Sequence, residues 1–112
     1  MIGFHLILDG VLDHPIGGDI VSRLLSELPG VIGMEVLAGP LVVEGKPDNP
    51  GWTGFVIIDK SHIAVHTFDR GCVVSIDVFS CNPFETEKVI RYLSSRCAFK
   101  KMRDRTMIRE ID

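Results

Sequence analysis

Three apolar runs separated by short turns constrain this chain more than any other feature. Thr53 to Ile58, Ser61 to Phe68 and Cys72 to Ser80 are rich in β-branched and aromatic side chains, and only Asp59-Lys60 and Asp69-Arg70-Gly71 stand between them. Such runs with such punctuation read as consecutive antiparallel strands joined by tight turns. With Ile58 opposite Ser61 and Asp69 opposite Cys72, the pleat assigns every side chain to a face. One face receives Val56, Ile58, Ile63, Val65, Val74, Ile76 and Val78, which is a surface that must be covered. The other receives Thr53, Phe55, Ile57, His62, His66, Ser75, Asp77, Phe79 and Cys81, a mixture of aromatic, titratable and nucleophilic groups. The same register sets Thr53 opposite His66 at one end of the meander and Cys81 beside Lys60 and Ser61 at the other. Ser61 and His66 are five residues apart, roughly 16 Å along a straight strand.

The flanking segments supply the cover. Ile2 to Val11 reads as a first strand, ended by Asp13, His14, Pro15, Gly17 and Gly18. Ile20, Val21, Leu24, Leu25 and Leu28 recur at helical spacing, with Asp19 as the expected cap and Pro29-Gly30 as the expected stop. Val31 to Val43 reads as extended chain broken near Gly39-Pro40, followed by a polar loop from Glu44 to Gly51. A second helix is expected from Asn82 as cap and Pro83 at its first position, with Phe84, Val89, Ile90, Leu93 and Cys97 on its apolar side. The tail from Phe99 to Ile111 alternates basic and apolar residues as an edge strand would. The reading is one domain, residues 1–112, of α+β class: a two-layer sandwich in which two helices cover one face of a mainly antiparallel sheet.

Composition narrows the partners. With 112 residues, 46% of them hydrophobic, and a net charge of −3, the chain is a folded domain without the basic field that gathers nucleic acid or an anionic membrane. The basic residues of the tail are interrupted by Asp104 and Glu110. Neither a membrane-spanning run nor a signal peptide is legible, so the expectation is a cytoplasmic protein. Cys72, Cys81 and Cys97 are odd in number and lack metal-site spacing. His62 and His66 share a face but stand roughly 13 Å apart on a strand, too far for one ion, so no metal is expected. A domain this small buries a limited core, and association into a dimer is expected.

Taken singly, the polar residues have ordinary explanations. Ser61 suits a hairpin tip, Cys81 a small hydrophobe at a strand end, and His66 a sheet histidine. Together they look different. Lys60-Ser61-His62-Ile63-Ala64-Val65-His66-Thr67-Phe68, followed by Ile76-Asp77-Val78-Phe79-Ser80-Cys81, resembles the core of the prokaryotic S-adenosylmethionine decarboxylases, and His5-Leu6 with the surrounding order of elements extends the likeness over most of the chain.

The resemblance implies a self-processed enzyme dependent on a pyruvoyl group. In that family a serine hydroxyl attacks the preceding carbonyl, the ester undergoes β-elimination, and hydrolysis leaves a pyruvoyl group at the start of the second fragment. Here the cleavage falls between Lys60 and Ser61. The pyruvoyl carbonyl forms a Schiff base with a substrate amine and takes up the electrons released with carbon dioxide, so no dissociable cofactor is needed. By the same resemblance His66 matches the processing histidine, Thr53 the hydroxyl that assists it, and Cys81 the proton donor to the decarboxylated carbon. The family is a homodimer with shared active sites, which agrees with two clusters held at opposite ends of one meander.

Three positions depart from the family pattern. Lys60 replaces a glutamate before the cleaved serine, and Arg70 replaces a glutamate that binds the substrate ribose. The loop from Gly45 to Gly51 lacks the phenylalanine that stacks on adenine, leaving Trp52 as the nearest aromatic. Arg70 suits a substrate carboxylate, so ornithine or arginine stands beside S-adenosylmethionine as the substrate for polyamine synthesis. An unprocessed homologue that binds a small molecule, or only dimerises, is the remaining alternative.

Overall fold

The computed structural model describes residues 1–112. Its elements are β1 (Gly3–Leu12), α1 (Gly18–Val31), β2 (Val36–Glu44), β3 (Trp52–Ile58), β4 (Ser61–Phe68), β5 (Val73–Ser80), α2 (Thr86–Arg96) and β6 (Phe99–Arg109). The six strands form one sheet in the order β2-β3-β4-β5-β1-β6, and every neighbouring pair is antiparallel. The architecture is the expected α+β sandwich.

The central meander has the expected register, with Ile58 opposite Ser61, Thr53 opposite His66 and Phe68 opposite Val73. The pleat therefore sends Val56, Ile58, Ile63, Val65, Val74, Ile76 and Val78 inward, and each is at most 2% exposed. Leu6 and Leu8 of β1 extend this surface. Val21, Leu24, Leu25 and Leu28 of α1 close over it together with Val89 and Leu93 of α2. Gly54 lets α1 approach β3 closely, because a Cβ there would lie 2.5 Å from a Leu25 methyl and 2.7 Å from one of Val21. The helices are tied to each other as well: the Tyr92 hydroxyl and Arg96 Nε both donate to Glu27 Oε1, at 2.5 and 3.1 Å. Burial and the Glu27 carboxylate push the Tyr92 hydroxyl up to about 12.

The helix boundaries differ from expectation at both ends of the chain. The first helix starts at Gly18, and Gly17 rather than Asp19 precedes it without a side-chain cap. It also runs through Pro29-Gly30 to Val31. Pro29 is buried near the last turn, where losing its N–H costs one bond, and Ile32 N–H donates to the Leu28 carbonyl to close that turn. The reversal comes at Gly33, whose φ of +74° suits a glycine. The second helix starts at Thr86, four residues after Asn82. Asn82 donates its N–H to Ser80 Oγ, and the Phe84 ring turns in to meet Phe4 edge-on at 4.9 Å, so the segment stays extended past Pro83. The break near Gly39-Pro40 is a register irregularity within β2.

Candidate active site

At one end of the meander β4 begins directly after the Asp59-Lys60 turn. Lys60 takes a φ of +51°, a left-handed conformation that costs a residue with a Cβ about 1–2 kcal/mol. The strained residue immediately precedes Ser61. Although it stands at a strand tip, Ser61 is only 6% exposed, and its Oγ accepts a hydrogen bond from the Cys81 backbone N–H at 3.0 Å. The Cys81 thiol points to the Asp59 carbonyl oxygen at 3.7 Å. Ser80 holds the neighbouring backbone: its Oγ accepts from Asn82 N–H at 3.0 Å and lies 3.2 Å from Met34 Sδ. This end thus brings together a poorly hydrated hydroxyl, a thiol and a strained peptide. It has the parts for attack by a hydroxyl on the carbonyl before it and for proton delivery by a thiol.

The other end holds a different pair. Thr53 Oγ1 and His66 Nδ1 are 3.2 Å apart across β3 and β4. A hydroxyl on one ring nitrogen orients the imidazole and leaves Nε2 for proton transfer. Thr67, on the opposite face, accepts the Trp52 N–H through Oγ1 at 2.8 Å and fixes the start of β3. The Trp52 indole packs against α1, where a Cβ on Gly18 would meet its ring at 2.8 Å. Arg70 Nη1 donates to the Asp48 carbonyl at 2.9 Å, and Asp69 N–H donates to the Pro50 carbonyl at 2.9 Å. Arg70 therefore clamps the loop from Gly45 to Gly51 onto the β4–β5 turn.

Ser61 and Cys81 are together, and so are Thr53 and His66, but one chain does not unite the two pairs. In β4 the side chains of Ser61 and Thr67 are buried on the helix side, while His62 and His66 lie on the open side.

Between the two ends lies a cluster legible only in part beforehand. The His62 ring stacks on Phe55 at 5.3 Å and leans on Phe79 at 5.5 Å. His5 meets the same Phe79 edge-on at 5.9 Å and places Nε2 3.6 Å from Asp77 Oδ1, and the Arg109 guanidinium lies 5.1 Å above the Phe79 ring. His5 Nε2 is buried and accepts or donates no hydrogen bond. Burial, then the nearby His5 and Arg109 charges, hold the His62 imidazole below its usual range, with Asp77 pulling the other way. His5 and Arg109 come from β1, which pairs with β5, and from β6 beyond it, and no local pattern announces either place.

The family model described as S-adenosylmethionine decarboxylase matches residues 17–110. The chain belongs to that family. A curated relative from Clostridium botulinum (strain Langeland / NCTC 10281 / Type F), named S-adenosylmethionine decarboxylase proenzyme, is 27% identical over 111 residues, covering 96% of this chain and 93% of the relative. One of the same name from Thermococcus gammatolerans is 32% identical over 96 residues, covering 82% of this chain and 65% of the relative. The crystal structure of the adenosylmethionine decarboxylase of Aquifex aeolicus superposes with a TM-score of 0.77 at 19% identity, covering 99% of this chain and 92% of that one. That likeness establishes the fold shared with the family.

In a Ser61→Ala background, Lys60→Gly removes the left-handed strain at some cost in chain entropy, and urea unfolding should show a gain of about 0.5–1 kcal/mol. Because the folded pKa of His62 is depressed, the unfolded chain binds the proton more readily. The contribution of His62 is whole above about pH 6.5 and is lost as pH falls through its lower folded value. Urea midpoints in the same background should fall between pH 7 and 5, and His62→Gln should flatten that fall.

Proposed function

We propose that this chain is a proenzyme that cuts itself between Lys60 and Ser61, and that the product decarboxylates S-adenosylmethionine, supplying the aminopropyl donor of spermidine synthesis. The observation carrying this reading is Ser61: a nearly buried hydroxyl, next to a strained Lys60, held by the amide of a cysteine whose thiol is free. The precursor status in the relatives' names points the same way. Family membership supports the substrate.

The residues present fit a pyruvoyl group made from Ser61, since the Cys81 N–H donates to Ser61 Oγ and the Cys81 thiol lies 3.7 Å from the Asp59 carbonyl in the turn before it. That group, once formed, withdraws the electrons left behind by carbon dioxide. The chain's own residues do the rest. His66, oriented by Thr53, removes the proton from the Ser61 Cα during processing, and the Cys81 thiol returns a proton to the substrate carbon after decarboxylation. Within one chain His66 is roughly 16 Å of strand from Ser61 and on the opposite face, so the His66 that serves Ser61 belongs to a second copy. The open face supports such pairing: Leu41, Val43, Phe55 and Ile57 on it are 66, 54, 40 and 46% exposed, an apolar patch suited to burial against another copy.

Arg70 favours a second reading of the substrate. It is cationic, clamps the loop through Asp48, and stands where the family holds a ribose with a glutamate; a free amino acid such as ornithine or arginine lacks the nucleoside and brings a carboxylate instead.

Intact-mass measurement of the purified protein should find fragments 1–60 and 61–112, the second blocked at its first residue. A single uncut chain would overturn processing and leave a non-catalytic homologue. Ser61→Ala should stay uncut, whereas Cys81→Ala should cut and then release carbon dioxide at least about tenfold more slowly. Neither Ser61→Ala nor His66→Ala should be cut alone, but co-folding them should cut His66→Ala chains, because a mixed dimer joins an intact Ser61 to an intact His66. Absence of cutting in the mixture sinks the shared site. Carbon dioxide release from S-adenosylmethionine, ornithine and arginine side by side decides the substrate.

A further inference from the structure

Among the groups around the scissile bond, one backbone donor has no part in the processing described above. The Cys81 N–H is not spent on a strand neighbour; its partner is Ser61 Oγ at 3.0 Å. The residue is held there from three sides: the thiol lies 3.7 Å from the Asp59 carbonyl, Asn82 N–H is fixed on Ser80 Oγ at 3.0 Å, and Ser80 is itself 1% exposed beside Met34. Ser61 at 6% exposure has little water to replace this donor. From this geometry we infer that the Cys81 backbone N–H is a catalytic group of self-cleavage, stabilising the departing Lys60 carboxylate in the elimination step. The inference rests on the proposed self-processing.

The chemistry assigns the step. In the first reaction Ser61 Oγ bonds to the Lys60 carbonyl carbon, the Lys60–Ser61 C–N bond breaks, and the hydroxyl proton ends on the Ser61 nitrogen. A donor aimed at Oγ lowers the basicity of the attacking oxygen, so it gives this step no assistance. In the second reaction a base takes the Ser61 Cα proton, Cα and Cβ become doubly bonded, and the Cβ–Oγ bond breaks with its electron pair going to Oγ. That oxygen leaves as part of the Lys60 carboxylate. A donor already aimed at Oγ meets the charge where it develops, without reorganisation, in a site with little water. Tautomerisation to the imine and addition of water, with loss of ammonia, complete the conversion and need no other reactant.

The donor is a main-chain atom, and replacing residue 81 by a hydroxy acid removes it. The comparison is Cys81→Ala against the same chain with L-lactic acid at position 81, which keeps the methyl side chain and exchanges N–H for oxygen. The lactate chain should cut roughly 10- to 100-fold more slowly. It should also accumulate the ester, which hydroxylamine releases as a residue 1–60 hydroxamate. Equal cutting rates, or slow cutting with no trapped ester, would overturn the inference, since a distorted turn would slow the first step instead. A second measurement does not depend on the lactate chain folding. In uncut His66→Ala, the residue 81 amide should resist hydrogen exchange, and adding Ser61→Ala should remove at least about tenfold of that protection. Equal exchange in the two chains would show that Oγ is not its acceptor. Failure of the wild-type chain to cut would count against the proposed function, a result separate from all of these.

Discussion

The pleat of the central meander governs the molecule. Because successive side chains point to opposite faces, a chain that places valine and isoleucine at alternate positions of β3, β4 and β5 must bury that face, and α1 and α2 do so. Burial of one face locks the register: a one-residue slip would expose the aliphatic set and drive His62, His66 and Asp77 into the core. Every functional pairing inherits that lock. Thr53 meets His66, and Ser61 meets Cys81, because β3, β4 and β5 can align in no other way.

The same constraint separates the two pairs. A β-strand is stiff and spans its length without folding back, so residues at the two ends of β4 stay apart however the helices pack. The residues of the proposed chemistry stand at the turns that end the strands. The Asp59-Lys60 turn stores strain beside Ser61, and the Asp69-Arg70-Gly71-Cys72 turn presents Arg70 to the loop that ends at Gly51. A rigid sheet with reactive groups at its rims suits a site assembled from two copies, in which neither copy has to bend.

Much of this was legible in advance, for physical reasons that can be named. The alternation in β3 to β5 is strong and the turns between them are short, so register followed from counting residues. The helix boundaries were harder to read. Asn82-Pro83 has the form of a helix start, but Ser80 Oγ captures the Asn82 N–H and Phe84 is drawn to Phe4, and this last contact lies outside any local window. Pro29-Gly30 has the form of a stop, yet α1 holds Pro29 buried in its last turn and runs one residue past Gly30. Trp52 stood out as the aromatic nearest the loop, and the fold turns its ring toward Gly18 at the start of α1.

The sequence by itself determined which residues share a face and which stand opposite each other in the meander, because these depend on a period of two and on turns of a few residues; the resemblance of Lys60 to Phe68 and Ile76 to Cys81 carried the family separately. Only the tertiary structure decided that β1 lies between β5 and β6, so that His5, Asp77 and Arg109 gather around Phe79 and His62. It alone showed the Cys81 N–H on Ser61 Oγ and the Arg70 clamp on Asp48. These contacts join residues 20 or more positions apart in the chain, and such neighbours are set by packing of the whole sheet rather than by local preference.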